Sequence, residues 1–270
     1  MKAIPLVKKI YHMYKKINRY GKIKSVNLHV EGINLGSGAN WCEWFWQGID
    51  SLDGEFLDET TVLPFKDGSL DAVYTSHFIE HVTDEVATHL FFEVYRVLKP
   101  GGIFRIVAPN FELFHQAILE NDMSIFNEIG FKGRPEWEEA GVDSNVENLA
   151  LHWFANYQTV PYLESELNGK QKDFYRGPPI IAREQVLNQA NLLSTEDFGS
   201  WVVSHVPKDR LLSGGHISTW THRKLNQFLE KSGFRKCNPS TFNCSKNNRM
   251  SKFDTMPNRE KQSLYHEVVK

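Results

Sequence analysis

The first apolar periodicity lies near the start of the chain, where Val7, Ile10, Tyr14 and Ile17 recur at helical spacing with lysines on the other faces. An apolar stretch at 33–35 then runs into Gly36-Ser37-Gly38, predicting a strand followed by a tight turn. Residues 41–46 suit a short helix, and Gly48-Ile49-Asp50 reads as the end of a second strand. Phe56-Leu57 is a weak third strand, and Ala72-Val73-Tyr74 is a stronger fourth after the turn residues Asp67-Gly68-Ser69. Over 84–98 the pattern is helical, with Thr83 as cap and Val86, Leu90, Val94 and Val97 or Leu98 as the buried stripe. Lys99-Pro100-Gly101-Gly102 stops that helix, and 103–108 forms a further strand ended by Pro109.

This alternation predicts an α/β fold, a mostly parallel Rossmann-like sheet with helices on both faces. From 111 to 215 the rhythm breaks into a Trp-, Phe-, Tyr-, Asn- and Gln-rich stretch, read as a mainly helical insertion over the sheet's carboxyl edge. Order returns at Thr221, where Leu225, Phe228 and Leu229 mark a helix closed by Gly233. Residues 234–237 and 263–269 predict two final strands, joined by a polar, mobile hairpin connection at 238–259. The expected organisation is a basic helix at 1–25, a first sheet half at 26–110, an insertion at 111–220 and a closing helix with two strands at 221–270.

Composition narrows the class. The 270 residues are 41% apolar and 24% charged, enough for a packed core, and no apolar run approaches the ~20 residues that cross a bilayer. A net charge of −2 gives no case for nucleic acid as a partner. The charge is uneven: Lys2, Lys8, Lys9, Lys15, Lys16, Arg19, Lys22 and Lys24 all precede the first acid, Glu31. The helix carrying them either packs on the domain edge with a solvated lysine face or lies peripherally on an anionic membrane. It lacks the apolar core and cleavage site of a secretory signal. With Cys42, Cys237 and Cys244 showing no metal-ligand spacing, reduced thiols and a cytoplasmic location are expected.

The chemistry concentrates after the first strand. Two glycines there, Gly36 and Gly38, let backbone approach a ligand with no Cβ between. A dinucleotide fingerprint needs a third glycine where Trp41 stands, which turns the reading away from NAD. Asp50 at the next strand end can accept from both hydroxyls of a ribose, or can be a turn or cap aspartate. Asp58 with Leu63-Pro64-Phe65 offers a polar acceptor beside an apolar slot, suited to a purine, or is simply a turn before the next strand.

Asn34-Leu35-Gly36-Ser37-Gly38, Gly48-Ile49-Asp50, Leu63-Pro64-Phe65, Leu70-Asp71-Ala72-Val73-Tyr74, Ser76-His77, Ile79-Glu80-His81 and Arg96-Val97-Leu98-Lys99-Pro100-Gly101-Gly102 follow one another in order. Together they resemble a class I methyltransferase of the type 11 group, dependent on S-adenosyl-L-methionine (SAM). The likeness runs from Ile33 to Pro109 and resumes at Leu225, Gly233-Phe234 and Ser263-Leu264-Tyr265. It implies a seven-stranded sheet with SAM across its carboxyl ends. Asn34, Gly36, Ser37 and Gly38 would lie at the methionine part and Asp50 at the ribose. Asp58 and Leu63 would lie by the adenine, with Ser76 and His77 near the sulfonium. The chain departs from the family at Asn34, where an acid is common, at Asn40, where a third glycine is usual, and in the short span between Gly38 and Asp50.

Methyl transfer to an oxygen benefits from a base, and His77, His216 and His222 are the candidates. His216 follows a Gly214-Gly215 turn that can bring it to the sheet edge, or that is an ordinary loop; His222 is a base or only a helix cap. His152-Trp153-Phe154, Tyr157 and Pro161-Tyr162 in the insertion form either an acceptor pocket or local core. The acceptor expected from the resemblance is a small molecule or a saccharide or surface-glycan precursor, methylated on oxygen. A peptide or natural product competes, as does a non-catalytic SAM-binding protein. His77-Phe78-Ile79-Glu80-His81 also matches the H-x-x-E-H pattern of inverted zinc peptidases, which requires both histidines on one helical face. Since the motif directly follows a strand, no metal is assigned to it.

Overall fold

The computed structural model describes residues 30–38, 41, 43–49, 57, 59, 61–133, 137, 142–154, 159–161, 174–176, 179–206, 215–235, 237–254 and 257–270. The expected basic helix, Cys42, Asp50, Phe56 and Asp58 lie outside them. Strands β1 (Gly32–Leu35), β2 (Trp46–Ile49), β3 (Leu70–Ser76) and β4 (Leu98–Pro109) pair in parallel in the order β2-β1-β3-β4. A ribbon of β5 (Thr159–Pro161) and β6 (Phe174–Arg176) stands apart. β7 (Cys237–Ser240) and β8 (Ser263–Val269) complete the main sheet as β4-β8-β7, β8 running antiparallel to both neighbours. The fold is thus the expected α/β, Rossmann-like one, with six strands in the sheet among the described residues rather than seven.

Strand alternation divides the sheet into two faces. Ile33, Leu35, Val73, Phe104, Ile106, Leu264 and Val268 point one way, into a core closed by helices α1 (Asp84–Val97) and, later in the chain, α7 (His222–Lys231). Helix α1 begins where Thr83 accepts from the Val86 amide, with Asp84 and Glu85 in the first turn where the helix dipole favours them. It ends at Val97 and passes through an extended Leu98 directly into β4, so Lys99-Pro100-Gly101, with Gly101 at a φ of 81°, lies at the start of that strand rather than in a separate turn.

Trp46, Ala72, Tyr74, Val107 and Tyr265 point the other way. The described residues covering them belong to no α-helix: Phe242, Met250, which opens a 3-10 turn at 250–252, and Phe253 of the 241–254 segment pack there. The connection read as mobile is instead a cover built on a charged pair. Arg105, at 0% exposure, donates to Asp254, Ser240 and the Thr241 and Cys244 carbonyls, and Tyr74 Oη donates to the other Asp254 oxygen at 2.9 Å. The register sets these groups in one row, with Asn34 beside Tyr74, Tyr74 beside Arg105 and Arg105 beside Glu267.

Two smaller expectations fail for steric reasons. Residues 43–46 form a turn rather than a short helix, Phe45 having a φ of 61°, because Trp46 is already committed to pairing with Gly32. β7 starts at Cys237 rather than Phe234, which is buried in the core against Tyr95 and Phe104.

Between β4 and β8 the described residues hold α2 (Phe111–Glu120), α3 (Ser124–Glu128), α4 (Val146–His152), α5 (Arg183–Leu192) and α6 (Thr195–Ser204). They share a separate apolar core of Phe111, Phe114, Phe126, Leu149, Phe154 and Phe198 among others. His152 and Phe154 belong to that core, and Tyr157 and Tyr162 lie outside the described residues. No helix of the described residues is long and apolar enough to cross a membrane.

Candidate active site at the carboxyl edge of the sheet

β1 and β3 end side by side, and the turns leaving their carboxyl ends build the site. After Leu35 the chain reverses through Gly36 (φ 67°) and Gly38 (φ 69°), held by the amides of Gly36 and Ser37 donating to the Ile49 carbonyl of β2. The two glycines do different work. A Cβ at Gly36 would stand 2.3 Å from Phe78, so that glycine makes room for the protein's own ring. A Cβ at Gly38 would meet nothing within 4 Å, so that glycine borders open space. After Ser76 the chain leaves β3 at His77, whose φ of 50° is uncommon outside glycine and turns its ring into the site.

A cavity of about 150 Å3 lies at this edge, lined by Asn34, Gly36, Ser37, Ser76 and His77 on the strand side. Across from them it is lined by Trp41, Phe242, Phe253, Asp254, Arg259 and Tyr265. Asn34 is 4% exposed and its amide oxygen has no hydrogen-bond partner among the described residues. A buried polar atom left without a partner costs about 1–3 kcal/mol, so this oxygen marks a place for a donor from a ligand. The amino acid part of SAM carries such a donor in its ammonium, and Arg259 supplies a cation on the same cavity. The described edge therefore fits the methionine end of the cofactor.

Leu63 stands elsewhere. It is 1% exposed and packed in the core beneath α1. The Leu63-Pro64-Phe65 turn is clamped by α1: Arg96 donates to the Leu63 and Phe65 carbonyls, and Glu93 accepts from the Leu63 amide at 2.7 Å. The Arg96 hydrogen bonds hold the Glu93 carboxyl below the usual range.

Behind His77 sits a cluster around Glu80. Residues 79–81 form a single 3-10 turn, so His77 and His81 do not share a helical face as the H-x-x-E-H reading requires. His77 Nε2 instead contacts Ser263 Oγ at 3.0 Å while its Nδ1 lies 3.2 Å from Glu80 Oε1. Segment 215–221 brings in His216: the Ile217 and Ser218 amides donate to the Glu80 carbonyl, and His216 Nε2 comes within 3.9 Å of Glu80 Oε1. His81 Nε2 is 3.9 Å from the same oxygen. Burial alone would raise the Glu80 carboxyl, but the His77 contact and the charges of His77, His216 and His81 outweigh it and hold the pKa down at about 2.

His222 is not brought to this edge. It opens α7 and meets His266 of β8, with the two Nδ1 atoms 3.3 Å apart. Burial lowers its pKa.

An α/β sheet with a parallel half, whose first strand ends in a glycine turn beside a cavity, is Rossmann-like, the arrangement in which such sheets take cofactors at their carboxyl ends. Residues 33–106 match the sequence profile of a family described as a methyltransferase domain. This segment is a class I SAM-dependent methyltransferase domain, an enzyme domain with SAM as its cofactor. Among curated proteins nothing matches. Solved structures that the chain is similar to include a SAM-dependent methyltransferase from Mesorhizobium loti, at 14% identity over 90% of this chain and 91% of that one, with a TM-score of 0.41. Another is a SAM-dependent methyltransferase from Archaeoglobus fulgidus, at 12% identity over 98% and 94%, with a TM-score of 0.37.

Proposed function

We propose that this edge binds SAM with its methionine end at Asn34 and Arg259, and that the chain methylates an oxygen of a small-molecule or saccharide acceptor. The unpartnered Asn34 oxygen in the cavity wall is the observation that carries the cofactor pose. Asn34 accepts from the ammonium and Arg259 faces the carboxylate. Asp50 at the ribose and Asp58 at the adenine remain part of this proposal on the sequence alone, since both lie outside the described residues.

Bound SAM would supply an electrophilic methyl group open to in-line attack, with its neutral thioether as the leaving group. The chain's own task is to align the acceptor and exclude water. His77 is the base in this reading: it borders the cavity, and Glu80 behind its Nδ1 stabilises the imidazolium formed when Nε2 takes the proton. Ser263 contacts that Nε2 and yields to the acceptor hydroxyl. Helices 111–206 form the acceptor side, with Trp153 near His216 giving an aromatic surface suited to a sugar ring. The lysine-rich N-terminal segment, outside the described residues, would hold the enzyme at an anionic surface carrying a glycan precursor. Transfer of radiolabelled methyl from SAM across a panel of saccharide, small-molecule and peptide acceptors tests this. Labelling of a hydroxyl-bearing saccharide or small molecule is expected; labelling of peptides alone contradicts it.

A further inference from the structure

We infer that Glu80, His81 and His216 form a site for a divalent first-row transition ion, zinc in the first instance, beside the cofactor cavity. One ligand atom from each of the three lies within 4.8 Å of the others. Tetrahedral zinc with bonds of ~2.0–2.2 Å spaces its ligands by about 3.4 Å. The 3.9 Å separations from Glu80 Oε1 to the two Nε2 atoms, in a set whose members all lie within 4.8 Å of one another, close to that spacing when the side chains draw in around an ion.

Three features mark a built site rather than a chance meeting. Glu80 is 0% exposed; its Oε1 faces His77 Nδ1 at 3.2 Å and the Nε2 atoms of His81 and His216 at 3.9 Å, while its Oε2 has no hydrogen-bond partner among the described residues. A buried carboxylate is costly unless its charge is paired or bound to a metal. The His81 tautomer is also set. Its Nδ1 lies 3.2 Å from the Gly215 carbonyl, which can only accept, so Nδ1 carries the hydrogen and Nε2 presents its lone pair. Metal-bound histidines are commonly oriented by such an outer hydrogen bond. Finally, the backbone is braced: the Ile217 and Ser218 amides both donate to the Glu80 carbonyl, and Ser218 Oγ donates to the Ile79 carbonyl.

Two imidazoles and one carboxylate are a donor set suited to zinc or ferrous iron, and they leave coordination positions open. Resting on the methyltransferase reading, an ion held there would lie behind the base, fixing Glu80 against His77 Nδ1 rather than meeting the acceptor itself. This differs from the peptidase arrangement, in which His77 would be a ligand.

The test uses the full-length chain, freed of any affinity tag. It is stripped with chelator, dialysed against zinc, washed and assayed for metal, and cobalt is added separately for its visible absorption. About one zinc per chain and cobalt bands of a tetrahedral or five-coordinate site are expected. His81→Gln and His216→Gln should each weaken zinc binding about tenfold or more, while His205→Gln, at an exposed histidine, should not. Absence of retained zinc in the unmodified chain, or equal affinity in all variants, overturns the site. SAM is titrated into the stripped chain in parallel. SAM binding without zinc retention overturns the metal site alone, whereas zinc retention without SAM binding upholds it and contradicts the cofactor pose.

Discussion

At the residue scale, the buried polar groups carry most of the information. His266 is 0% exposed, and its Nε2 donates to Asn226 Oδ1 at 2.7 Å. Its Nδ1 is then an acceptor facing the Nδ1–H of His222, so the pair needs a neutral His266. Burial, with His222 as the second cause, pushes the His266 pKa down to about 4. A base whose folded pKa lies below its unfolded value binds fewer protons when folded, so stability falls as pH drops from about 6.5 to about 4. The shift corresponds to about 3 kcal/mol. Denaturant unfolding at several pH values should show that loss, and His266→Gln should flatten it; an unchanged acid limb in the variant would count against the neutral pair. None of this is legible in the sequence, where His222 reads as a possible base. His216 was legible because its glycine turn gives it reach; what it reaches, Glu80, was not.

At the element scale, the 241–254 cover is the main departure from the sequence reading. Its apolar content is thin, with Phe242, Met250 and Phe253 spaced among Asn, Ser and Lys, so it reads as solvated loop. The one available signal was Arg105, a charge inside an otherwise apolar strand that had to find an anion. That anion is Asp254. Breaking a buried ion pair by removing one partner costs about 3–5 kcal/mol. Asp254→Ala should therefore lower stability by that order in urea unfolding and expose 241–262 to limited proteolysis; cleavage no faster than in the unmodified chain would contradict the anchoring role. Helix α1 was legible in full, since its cap, stripe and stop are all local signals. So was the Leu63-Pro64-Phe65 motif, but not its part: it is the turn that Arg96 clamps, and Leu63 supports the site from the core rather than lining it.

At the scale of the whole molecule, the described residues form a sheet with an apolar cluster on each face and a helical body with a core of its own. The two ends of the inserted segment meet, because the Phe111 amide donates to the Trp220 carbonyl at 3.0 Å. A short linker in place of 112–219 should therefore leave the sheet able to bind SAM while abolishing transfer to any acceptor. Equal loss of both would show that the helical body is part of the cofactor site. The change of rhythm at 111 was visible in the sequence because strand and helix periods stop alternating there; what the insertion packs against was not, since its aromatics suit a pocket and a core equally.

The central claim is that the cavity at the carboxyl edge of the sheet receives the amino acid end of SAM at Asn34. Calorimetric titration of SAM into the unmodified chain and into Asn34→Leu tests it most directly, with thermal unfolding of both. Leucine is close in shape and removes a buried polar group that lacks a partner, so the variant should be as stable or more stable by about 1–2 kcal/mol. It should also bind SAM about tenfold or more weakly. Undiminished SAM binding in the variant would contradict the account.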